Sequence, residues 1–318
     1  MTGFALVGDI GGTHARFAMA DGVTGELHAV EVFSVARFET LAQALAHYTA
    51  VHAPSSLHSA CLAVAAPVLG DAVQMTNHHW AFSQSALKAE LGLERLDIIN
   101  DFKAMALGML VLPHESFDTL QPGEGAPDAP RAVLGPGTGL GTSALVPSGR
   151  QWIALSAEGG HVGFAPRDEL EAAVWAHLNA QFGRVSVERI LSGAGLYQLY
   201  CALAALEKQI AVHPNSPALV QAAHAGGAFE QAVLARFCGI LGAVAGDLVL
   251  ALGARGGVYL CGGVLAHLPR GLLKKAFLQG FLAKGRYQAY MTDVPVWLCL
   301  AELPALHGAA LHLRVSMD

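Results

Sequence analysis

The 318-residue chain has few charged residues and no excess of positive charge. Charged side chains make up 14% of the sequence, and 19 Lys and Arg stand against 25 Asp and Glu, for a formal net charge of −6. A surface that binds nucleic acid needs clustered Lys and Arg, so this composition argues against such a partner. Hydrophobic residues account for 53% of the chain, which allows a large buried core and argues against disorder.

Cysteine is scarce, and its spacing argues against two further kinds of site. The five cysteines lie singly in apolar segments, at Cys61, Cys201, Cys238, Cys261 and Cys299. No two of them have the spacing of a zinc site or of a redox motif, and their odd number does not suggest a disulfide framework. We therefore expect a reduced, cytoplasmic compartment.

Long uncharged hydrophobic runs are also missing. The most hydrophobic stretch, Phe237–Leu252, contains Asp247 and is short and rich in small residues, so it predicts a buried core helix and no membrane span. The chain opens directly into a strand pattern, without a charged segment and an apolar run ahead of it. We therefore expect no signal peptide.

Apolar strand patterns alternate with helical periodicity, which predicts an α/β fold with mostly parallel sheets. Ser59–Pro67 and Leu96–Asn100 are near-continuous apolar runs, typical of strands buried on both faces. A helix is predicted over Phe38–Val51 and a short strand over Gln74–Asn77. Pro113–Pro130 is rich in proline, glycine and acidic residues, and it predicts a connection with a domain boundary near its beginning.

The opening stretch Phe4–Phe17 predicts an apolar strand, a glycine-rich turn and a second apolar strand. Gly8, Gly11 and Gly12 allow a tight turn whose backbone N–H groups can form a nest for an anion. Asp9 would point a carboxylate at the same place, which suits a phosphate only if a divalent metal lies between them. The pattern favours a nucleotide-phosphate and Mg²⁺ loop, with an ordinary glycine-rich hairpin as the alternative.

A second glycine-rich turn follows a short apolar strand, within Leu134–Thr142. Gly8 and Gly12-Thr13 of the first loop match Gly137 and Gly141-Thr142 here at one constant spacing. Two such units in one chain indicate a duplicated domain, with each half holding one side of a polyphosphate. Neither loop contains the GK[ST] ending of a P-loop, so no Walker lysine is available.

Two polar clusters elsewhere can carry chemistry or be purely structural. Asn100-Asp101 follows a buried strand, where it is either a helix cap or a functional group. Glu158 and His161 are separated by two glycines, which disfavour a helix. That spacing favours a loop that presents a carboxylate and an imidazole to a polyhydroxylated ligand, with a plain loop histidine as the alternative.

Two further positions are weaker signals. Glu188 by itself is typical of a glutamate in the first turn of a helix, where the helix dipole favours it. Gly262-Gly263 follows an apolar strand. This pair can admit an adenine ring close to the backbone, or it can form a simple turn.

Together these motifs resemble those of the bacterial glucokinase family, within the superfamily of actin-like ATPases and sugar kinases. The matching segments follow the family's order and are LVGDIGGTHARF (6–17), IINDF (98–102), LGPGTGLG (134–141), SAEGGHVGFAP (156–166), ERILSGAGL (188–196), LCGGV (260–264), KGRY (284–287) and DVPV (293–296). The resemblance implies a duplicated actin-like, ribonuclease H-like α/β fold with two domains around a cleft. These would be a small domain of residues 1–111 plus 302–318 and a large domain of residues 112–301.

The resemblance also implies an activity, the ATP-dependent phosphorylation of D-glucose at its 6-hydroxyl at the start of glycolysis. Asp101 would be the general base, which accepts the hydroxyl proton as the oxygen attacks the γ-phosphorus. Sugar hydroxyls would be held by Asn100, Asp101, Glu158, His161 and Glu188. The ATP phosphates would be held by Gly8, Asp9, Ile10, Gly11, Gly12, Thr13, Gly137, Thr138, Gly139 and Gly141, and the adenine site would be flanked by Gly262 and Gly263.

Cofactors and partners follow from the same resemblance. It implies ATP and Mg²⁺, with Asp9 near the Mg²⁺ and in contact with it through water. The cysteine-rich zinc loop of a related group of repressors and sugar kinases is missing, so we expect no zinc. His14 is assigned no role, because some members of the family have Asn there. The implied partners are glucose, ATP and a second copy of the chain in a homodimer, with no nucleic acid and no membrane.

Other functions stay open at this point. The sugar can be another hexose or an N-acetylated amino sugar, and the donor can be ADP or polyphosphate. A sugar-sensing repressor would need a DNA-binding helix-turn-helix, and a strand that begins at Phe4 leaves no room for one ahead of the kinase body. An actin-like ATPase would lack the Asn-Asp and Glu-Gly-Gly-His motifs and would hydrolyse ATP without sugar.

Overall fold

Each glycine-rich stretch forms the turn of an antiparallel hairpin. Strand β1 (Phe4–Ile10) pairs with β2 (His14–Asp21) from Phe4 opposite Asp21 to Ile10 opposite Ala15, as predicted. Strand β9 (Arg131–Pro136) pairs with β10 (Leu140–Ser148) up to Pro136 opposite Leu140. The computed structural model describes residues 3–53, 57–76 and 78–315.

The strands and helices alternate within these residues. The strands are β1 (Phe4–Ile10), β2 (His14–Asp21), β3 (Leu27–Ser34), β4 (Ser59–Val64), β5 (Ala72–Gln74), β6 (Ala81–Ser83), β7 (Arg95–Asn100), β8 (Phe117–Gln121), β9 (Arg131–Pro136), β10 (Leu140–Ser148), β11 (Gln151–Ala154), β12 (Gly257–Leu260) and β13 (Val296–Cys299). The helices are α1 (Leu41–His52), α2 (Gln84–Glu90), α3 (Asp101–Gly108), α4 (Glu169–Phe182), α5 (Gly193–Leu206), α6 (Ser216–His224), α7 (Ala228–Leu252), α8 (Gly263–Ala266), α9 (Arg270–Leu282), α10 (Gln288–Thr292) and α11 (Pro304–Val315).

Two sheets follow the same order over their first five strands, and the second has a sixth strand. The first is β3-β2-β1-β4-β7 and the second is β11-β10-β9-β12-β13-β8, and β5 and β6 form a separate pair. In the first sheet β1, β4 and β7 are parallel, and β9, β12 and β13 are parallel in the second. The prediction of mostly parallel sheets is wrong, because each sheet also contains an antiparallel hairpin and β8 runs antiparallel to β13.

The two sheets belong to two separate units of the chain. The first unit comprises Met1–Ser116, Ala154–Ser156 and Ala301–Asp318, and the second comprises Phe117–Ile153 and Ala157–Leu300. The assignment of separate tasks to two domains stays a prediction.

The first sheet is covered on both faces. Leu6, Ile10 and Leu62 pack on the side of α1, whereas Val7 and Cys61 pack on the side of α11. Every residue of β4 is buried, which confirms the strand predicted from its apolar run.

Helix α3, which begins at Asp101, is held closely against α11. A Cβ atom on Gly308 would lie 1.7 Å from the carbonyl oxygen of Ala104, and one on Gly108 would lie 2.1 Å from that of Pro304. Only glycine permits this approach of the two backbones. The position of Asp101 is therefore fixed by backbone contacts behind it.

The second unit is built around α7. This helix is long and apolar enough for a membrane span by length and composition, and 67% of its most apolar window is buried inside the protein. Phe237, Ile240 and Leu241 belong to a cluster that also contains Phe277 and Phe281 of α9. Such burial is expected of a core helix.

Several element predictions need correction. Pro113–Pro130 contains β8, whose Gln121 side chain donates to the carbonyl oxygens of Met291 and Val294 at 2.9 and 2.7 Å. The helix predicted from Phe38 begins at Leu41, because Thr40 caps it by accepting the Gln43 N–H. The strand predicted over Gln74–Asn77 is instead β5, which ends at Gln74, and Asn77 lies outside the described residues.

Candidate functional site

The first loop places one ion pair directly beside its turn. The Gly11 N–H donates to the His14 carbonyl at 2.9 Å. Asp9 and Arg16 lie opposite each other on β1 and β2, and Arg16 Nη1 donates to Asp9 Oδ2 at 3.0 Å. The Asp9 side chain is 20% exposed, so its carboxylate is partly desolvated but still reachable from solvent.

The surroundings of Asp9 act on its pKa in opposite directions. Burial raises the pKa above its ordinary value, and the charge and hydrogen bond of Arg16 oppose this rise. Burial has the larger effect because it disfavours the charged form. Any cation that approached Asp9 would stabilise its charged carboxylate further, in addition to Arg16.

Asp9 fits a magnesium ion held mainly by substrate. No cluster of three or more His, Cys, Asp or Glu that suits a metal occurs among residues 3–53, 57–76 and 78–315. Mg²⁺ bound to nucleotides commonly takes one or two carboxylates, with waters and phosphate oxygens completing its octahedron. A single accessible carboxylate beside a glycine-rich turn meets that requirement.

Gly8 has a packing role that the sequence did not suggest. It lies within β1 opposite Phe17, outside the turn. A Cβ atom there would lie 2.7 Å from Leu62 Cδ2 and 3.1 Å from Phe17 Cδ1. A side chain at Gly8 would therefore crowd the core of the first unit.

Asn100 and Asp101 stand at the start of α3. Asn100 is 8% exposed, and its Oδ1 accepts the N–H groups of Phe102 and Lys103 at 2.9 and 3.1 Å. Asp101 Oδ1 accepts the Phe102 N–H at 2.8 Å. The structure confirms the helix-cap interpretation for Asn100, and the cap also fixes the carboxylate that follows it. The predicted sugar contact of Asn100 stays a prediction.

The first loop and Asp101 lie at the same edge of the first sheet. Ile10 pairs with Val64, and Val64 pairs with Asn100, on three parallel strands. Neighbouring strands are spaced by about 4.8 Å, so the end of β1 and the end of β7 are about 10 Å apart. This carboxyl edge is where open α/β sheets bind ligands.

The second loop is a three-residue turn, Gly137–Gly139. The Gly137 N–H donates to the Gly139 carbonyl at 2.8 Å, and a Cβ atom on Gly137 would meet nothing within 4 Å. Gly141 lies in β10 opposite Gly135. The predicted match of Gly8 with Gly137 is therefore wrong, because Gly8 is a strand residue and Gly137 a turn residue. By strand register the structural counterpart of Gly137 is Gly11, the first residue of the other turn.

Three distant segments meet at this turn and the start of β10. Glu188 Oε2 accepts the Leu140 N–H at 2.8 Å, and the Gly193 N–H donates to the Gly137 carbonyl at 2.8 Å. Thr142 Oγ1 accepts the Gly159 N–H at 2.8 Å. The structure therefore brings the second loop, the Glu158–His161 segment and Glu188 together within the second unit.

The segment with Glu158 and His161 forms one turn of 3₁₀ helix, where we expected an irregular loop. The His161 N–H donates to the Glu158 carbonyl at 3.0 Å, and both side chains are exposed. A Cβ atom on Gly160 would lie 2.2 Å from the Leu140 carbonyl oxygen. The two glycines therefore allow the turn to lie directly on β10, and they leave a carboxylate and an imidazole open to a ligand.

Gly262 and Gly263 lie beside the second loop. Leu260 at the end of β12 pairs with Leu134 of β9. Gly262 has φ +97°, and a Cβ atom there would lie 2.5 Å from the Pro136 carbonyl oxygen. The turn is thus both left-handed and too close to β9 for any side chain. Its contact with adenine stays a prediction.

Sequence reasoning missed the residues that hold these segments in place. Arg16, Leu140, Thr142, Ser192 and Gly193 were not predicted as site residues. Four of the five lie inside the quoted motifs, so the motifs contained the signal. Leu140 and Gly193 act only through backbone groups, which residue type alone does not reveal.

Comparisons with known proteins give one consistent result. The Glucokinase family model matches residues 6–316. The glucokinase of Chromohalobacter salexigens is 46% identical over 315 residues, which cover 98% of each chain. The crystal structure of a glucokinase from an Antarctic psychrotroph has a TM-score of 0.87 and 35% identity, and the alignment covers 99% of this chain and 100% of that one.

A more distant structure shows the same fold. The ROK family glucokinase of Streptomyces griseus, solved in complex with glucose and AMPPNP, has a TM-score of 0.66 and 18% identity. The alignment covers 98% of this chain and 100% of that one. The predicted duplicated, actin-like sugar kinase fold is confirmed.

Proposed function

The chain belongs to the glucokinase family, and we propose that it transfers the γ-phosphoryl group of ATP to the 6-hydroxyl of D-glucose, which gives glucose 6-phosphate. The observation that carries the proposal is the position of Asp101 at the carboxyl edge of the first sheet, two strands from a glycine-rich loop. A phosphate loop and a carboxylate base are what a sugar kinase needs at one edge.

We propose that Asp101 is the general base. Its Oδ1 accepts the Phe102 N–H at 2.8 Å, which holds the carboxyl group in one orientation at the first turn of α3. In that role it accepts the proton of the sugar hydroxyl as the oxygen attacks the γ-phosphorus in line. General-base assistance of this kind is typically worth about 10²–10⁴ in rate.

The donor phosphates are proposed to lie against the two turns. Backbone N–H groups within the turns Gly11–Thr13 and Gly137–Gly139, with the hydroxyls of Thr13 and Thr138, are proposed to supply hydrogen bonds where a P-loop would use lysine. Gly8, Asp9, Ile10 and Gly141 lie in the paired strands that hold these turns. The open space above Gly137 supports close approach of a phosphate. Gly262 and Gly263 are proposed to flank the adenine.

Asp9 is proposed to hold Mg²⁺ through water. When bound, the ion neutralises phosphate charge and orients the γ-phosphoryl group for transfer. Asp9 supplies the anchoring carboxylate, and Arg16 at 3.0 Å keeps that carboxylate oriented towards the hairpin. No zinc is proposed.

Glucose is proposed to be selected by Asn100, Asp101, Glu158, His161 and Glu188. Carboxylates and an imidazole match ring hydroxyls, and a polar partner left without its hydroxyl costs free energy. The exposure of Glu158 and His161 on a turn fixed to β10 supports this role. Sugars that lack or invert one hydroxyl should therefore be poor substrates.

The remaining proposals concern the state of the protein. We propose a cytoplasmic homodimer that binds neither nucleic acid nor membrane. The net charge of −6 supports the absence of a nucleic-acid partner, and the single, scattered cysteines support a reduced compartment. The homodimer rests on the family resemblance.

A coupled assay tests the activity. The chain is mixed with ATP, Mg²⁺ and either no sugar or one of a panel of sugars (glucose, mannose, fructose and N-acetylated amino sugars), and ADP, the product common to every case, is detected by an enzymatic coupling. We expect glucose to have the highest kcat/KM. Faster phosphorylation of another sugar would replace glucose as the substrate, and ATP turnover without sugar would favour an ATPase.

A further inference from the structure

Glu188 is engaged with the second phosphate loop. Its Oε2 accepts the Leu140 N–H at 2.8 Å, at the residue that directly follows the turn. A Cβ atom on Gly139 would lie 2.4 Å from the same oxygen. The carboxylate therefore packs against the last turn residue as well as bonding the residue after it.

The other end of the loop is held by the same stretch of chain. The Gly193 N–H donates to the carbonyl of Gly137, the first turn residue, at 2.8 Å. We name Glu188–Gly193 the clamp segment. Its first residue bonds Leu140, directly after the three-residue turn, and its last residue bonds Gly137, the first residue of the turn.

The clamp segment is itself fixed. Ser192 is 3% exposed, and its hydroxyl donates to the Glu188 carbonyl and accepts the Gly195 N–H, each at 2.9 Å. A Cβ atom on Gly195 would lie 2.5 Å from the Ile190 carbonyl oxygen. The clamp segment is thus continuous with the first turn of α5, a helix of 14 residues.

We propose that Glu188 is a positioning residue of the nucleotide site, through its bond to Leu140, in addition to its role towards the sugar. The inference rests on the proposed function, because it assumes that the turn receives ATP phosphates. A turn held at both ends presents its N–H groups in one arrangement, which lowers the conformational cost of phosphate binding.

The consequence is a link between the two substrates. The two oxygens of the Glu188 carboxylate belong to one rigid group, so a sugar hydroxyl bonded to this side chain engages the same group whose Oε2 accepts the Leu140 N–H. A sugar that binds Glu188 therefore changes the nucleotide affinity of the turn through Leu140. By linkage, the nucleotide changes the sugar affinity by the same factor.

The test is nucleotide binding in the absence of any sugar. Mg²⁺–AMPPNP is titrated calorimetrically into the wild type, Glu188→Ala, Glu188→Gln and the control Glu158→Gln. We expect Glu188→Ala to weaken binding about tenfold, since it removes a charge-assisted hydrogen bond. Glu188→Gln retains an acceptor oxygen, so its loss should be about threefold or less. Glu158→Gln should bind as the wild type does, because Glu158 is assigned to the sugar alone.

The outcomes separate the inference from the proposed function. Unchanged AMPPNP affinity in Glu188→Ala, with an active wild type, overturns the inference and leaves the kinase assignment intact. A wild type that neither binds AMPPNP nor phosphorylates glucose overturns the proposed function. If Glu188→Ala does not fold, Ser192→Ala decides, because loss of the hydroxyl that holds the clamp segment should weaken binding about threefold, and unchanged binding would refute the clamp.

Discussion

The two glycine-rich hairpins occupy the same place in sheets of the same strand order, but they are stabilised differently. The first contains an ion pair of its own, Asp9 with Arg16, on directly opposed strand positions. The second has Gly135 opposite Gly141 and takes its carboxylate, Glu188, from a segment about 50 residues further along. Equal topology therefore does not imply equal chemistry.

This difference suggests a division of labour. The first unit carries the charged groups proposed to act on the reacting atoms, Asp9 and Asp101. The second carries turns and exposed polar side chains suited to binding, including Glu158 and His161. A duplicated fold can assign chemistry to one copy and binding to the other because each loop tolerates different neighbours.

The largest expected difference between the units is in turnover. Asp101→Asn should lower kcat about 10²–10⁴-fold, because an amide cannot accept the hydroxyl proton. Glucose binding should persist, since the amide keeps one acceptor oxygen and Asn100 still caps α3. Steady-state kinetics and glucose titration measure the two properties, and near-normal kcat would refute the base assignment.

The last parallel strands of the two sheets differ in charge, because β7 carries Asp97 whereas β13 has no charged residue. The next prediction concerns the stability that Asp97 contributes. Burial alone would raise the pKa of Asp97, but hydrogen bonds from His312 and Arg95 hold it down, to about 2. A lowered carboxyl pKa contributes stability above the unfolded value, which is lost as pH falls through the folded value. Asp97→Asn should therefore cost about 2 kcal/mol at pH 7.

Denaturant unfolding checks this prediction. The gap in unfolding free energy between Asp97→Asn and the wild type should shrink as the pH falls from about 4 through 2, because the unfolded carboxylate and then the native one take up a proton. Asp128→Asn, at an exposed position of the second unit, is the matched control and should show no gap. A gap that stays constant over this range would mean that Asp97 stabilises the fold by packing alone.

Sugar affinity should depend on a carboxylate of the second unit. Glu158→Gln should raise KM for glucose about tenfold, the cost of one charge-assisted hydrogen bond, and leave KM for ATP nearly unchanged. Glu169→Gln, at an exposed position in the same unit, serves as the control. Equal changes in both KM values would place Glu158 outside the sugar site.

The smallest expected effect is on stability, and it distinguishes a strand glycine, Gly8, from a turn glycine, Gly137. Gly8→Ala should lower the free energy of unfolding by about 1 kcal/mol, because its Cβ meets Leu62 at 2.7 Å. Gly137→Ala should leave stability unchanged, since its Cβ meets nothing within 4 Å and its φ is not positive. Thermal unfolding of both variants is the measurement, and similar Tm losses would contradict the difference.

The sequence predicted what is local and missed what depends on distant contacts. The hairpins and β4 follow from apolar runs and short-range turn signals, and the structure confirms them. Strand β8 was missed because its composition is that of a connection, and its Gln121 is satisfied by carbonyls about 170 residues away.

The candidate site divides in the same way. Glycines, Asp9, Asp101 and Glu158 stand out by residue type and motif. The bonds of Leu140 and Gly193 involve only their backbone groups, and the Thr142 bond joins β10 to a turn that begins 17 residues later. Contacts of this kind depend on the folded geometry, which residue type does not encode.

The division of labour is tested most directly by one paired measurement on Asp101→Asn and Gly137→Ala. Mg²⁺–AMPPNP affinity and the single-turnover rate at saturating ATP and glucose are determined for both variants. We expect a crossed result: Asp101→Asn loses rate and keeps affinity, whereas Gly137→Ala loses affinity and keeps rate. Variants that both lose rate and affinity to the same extent would contradict the account.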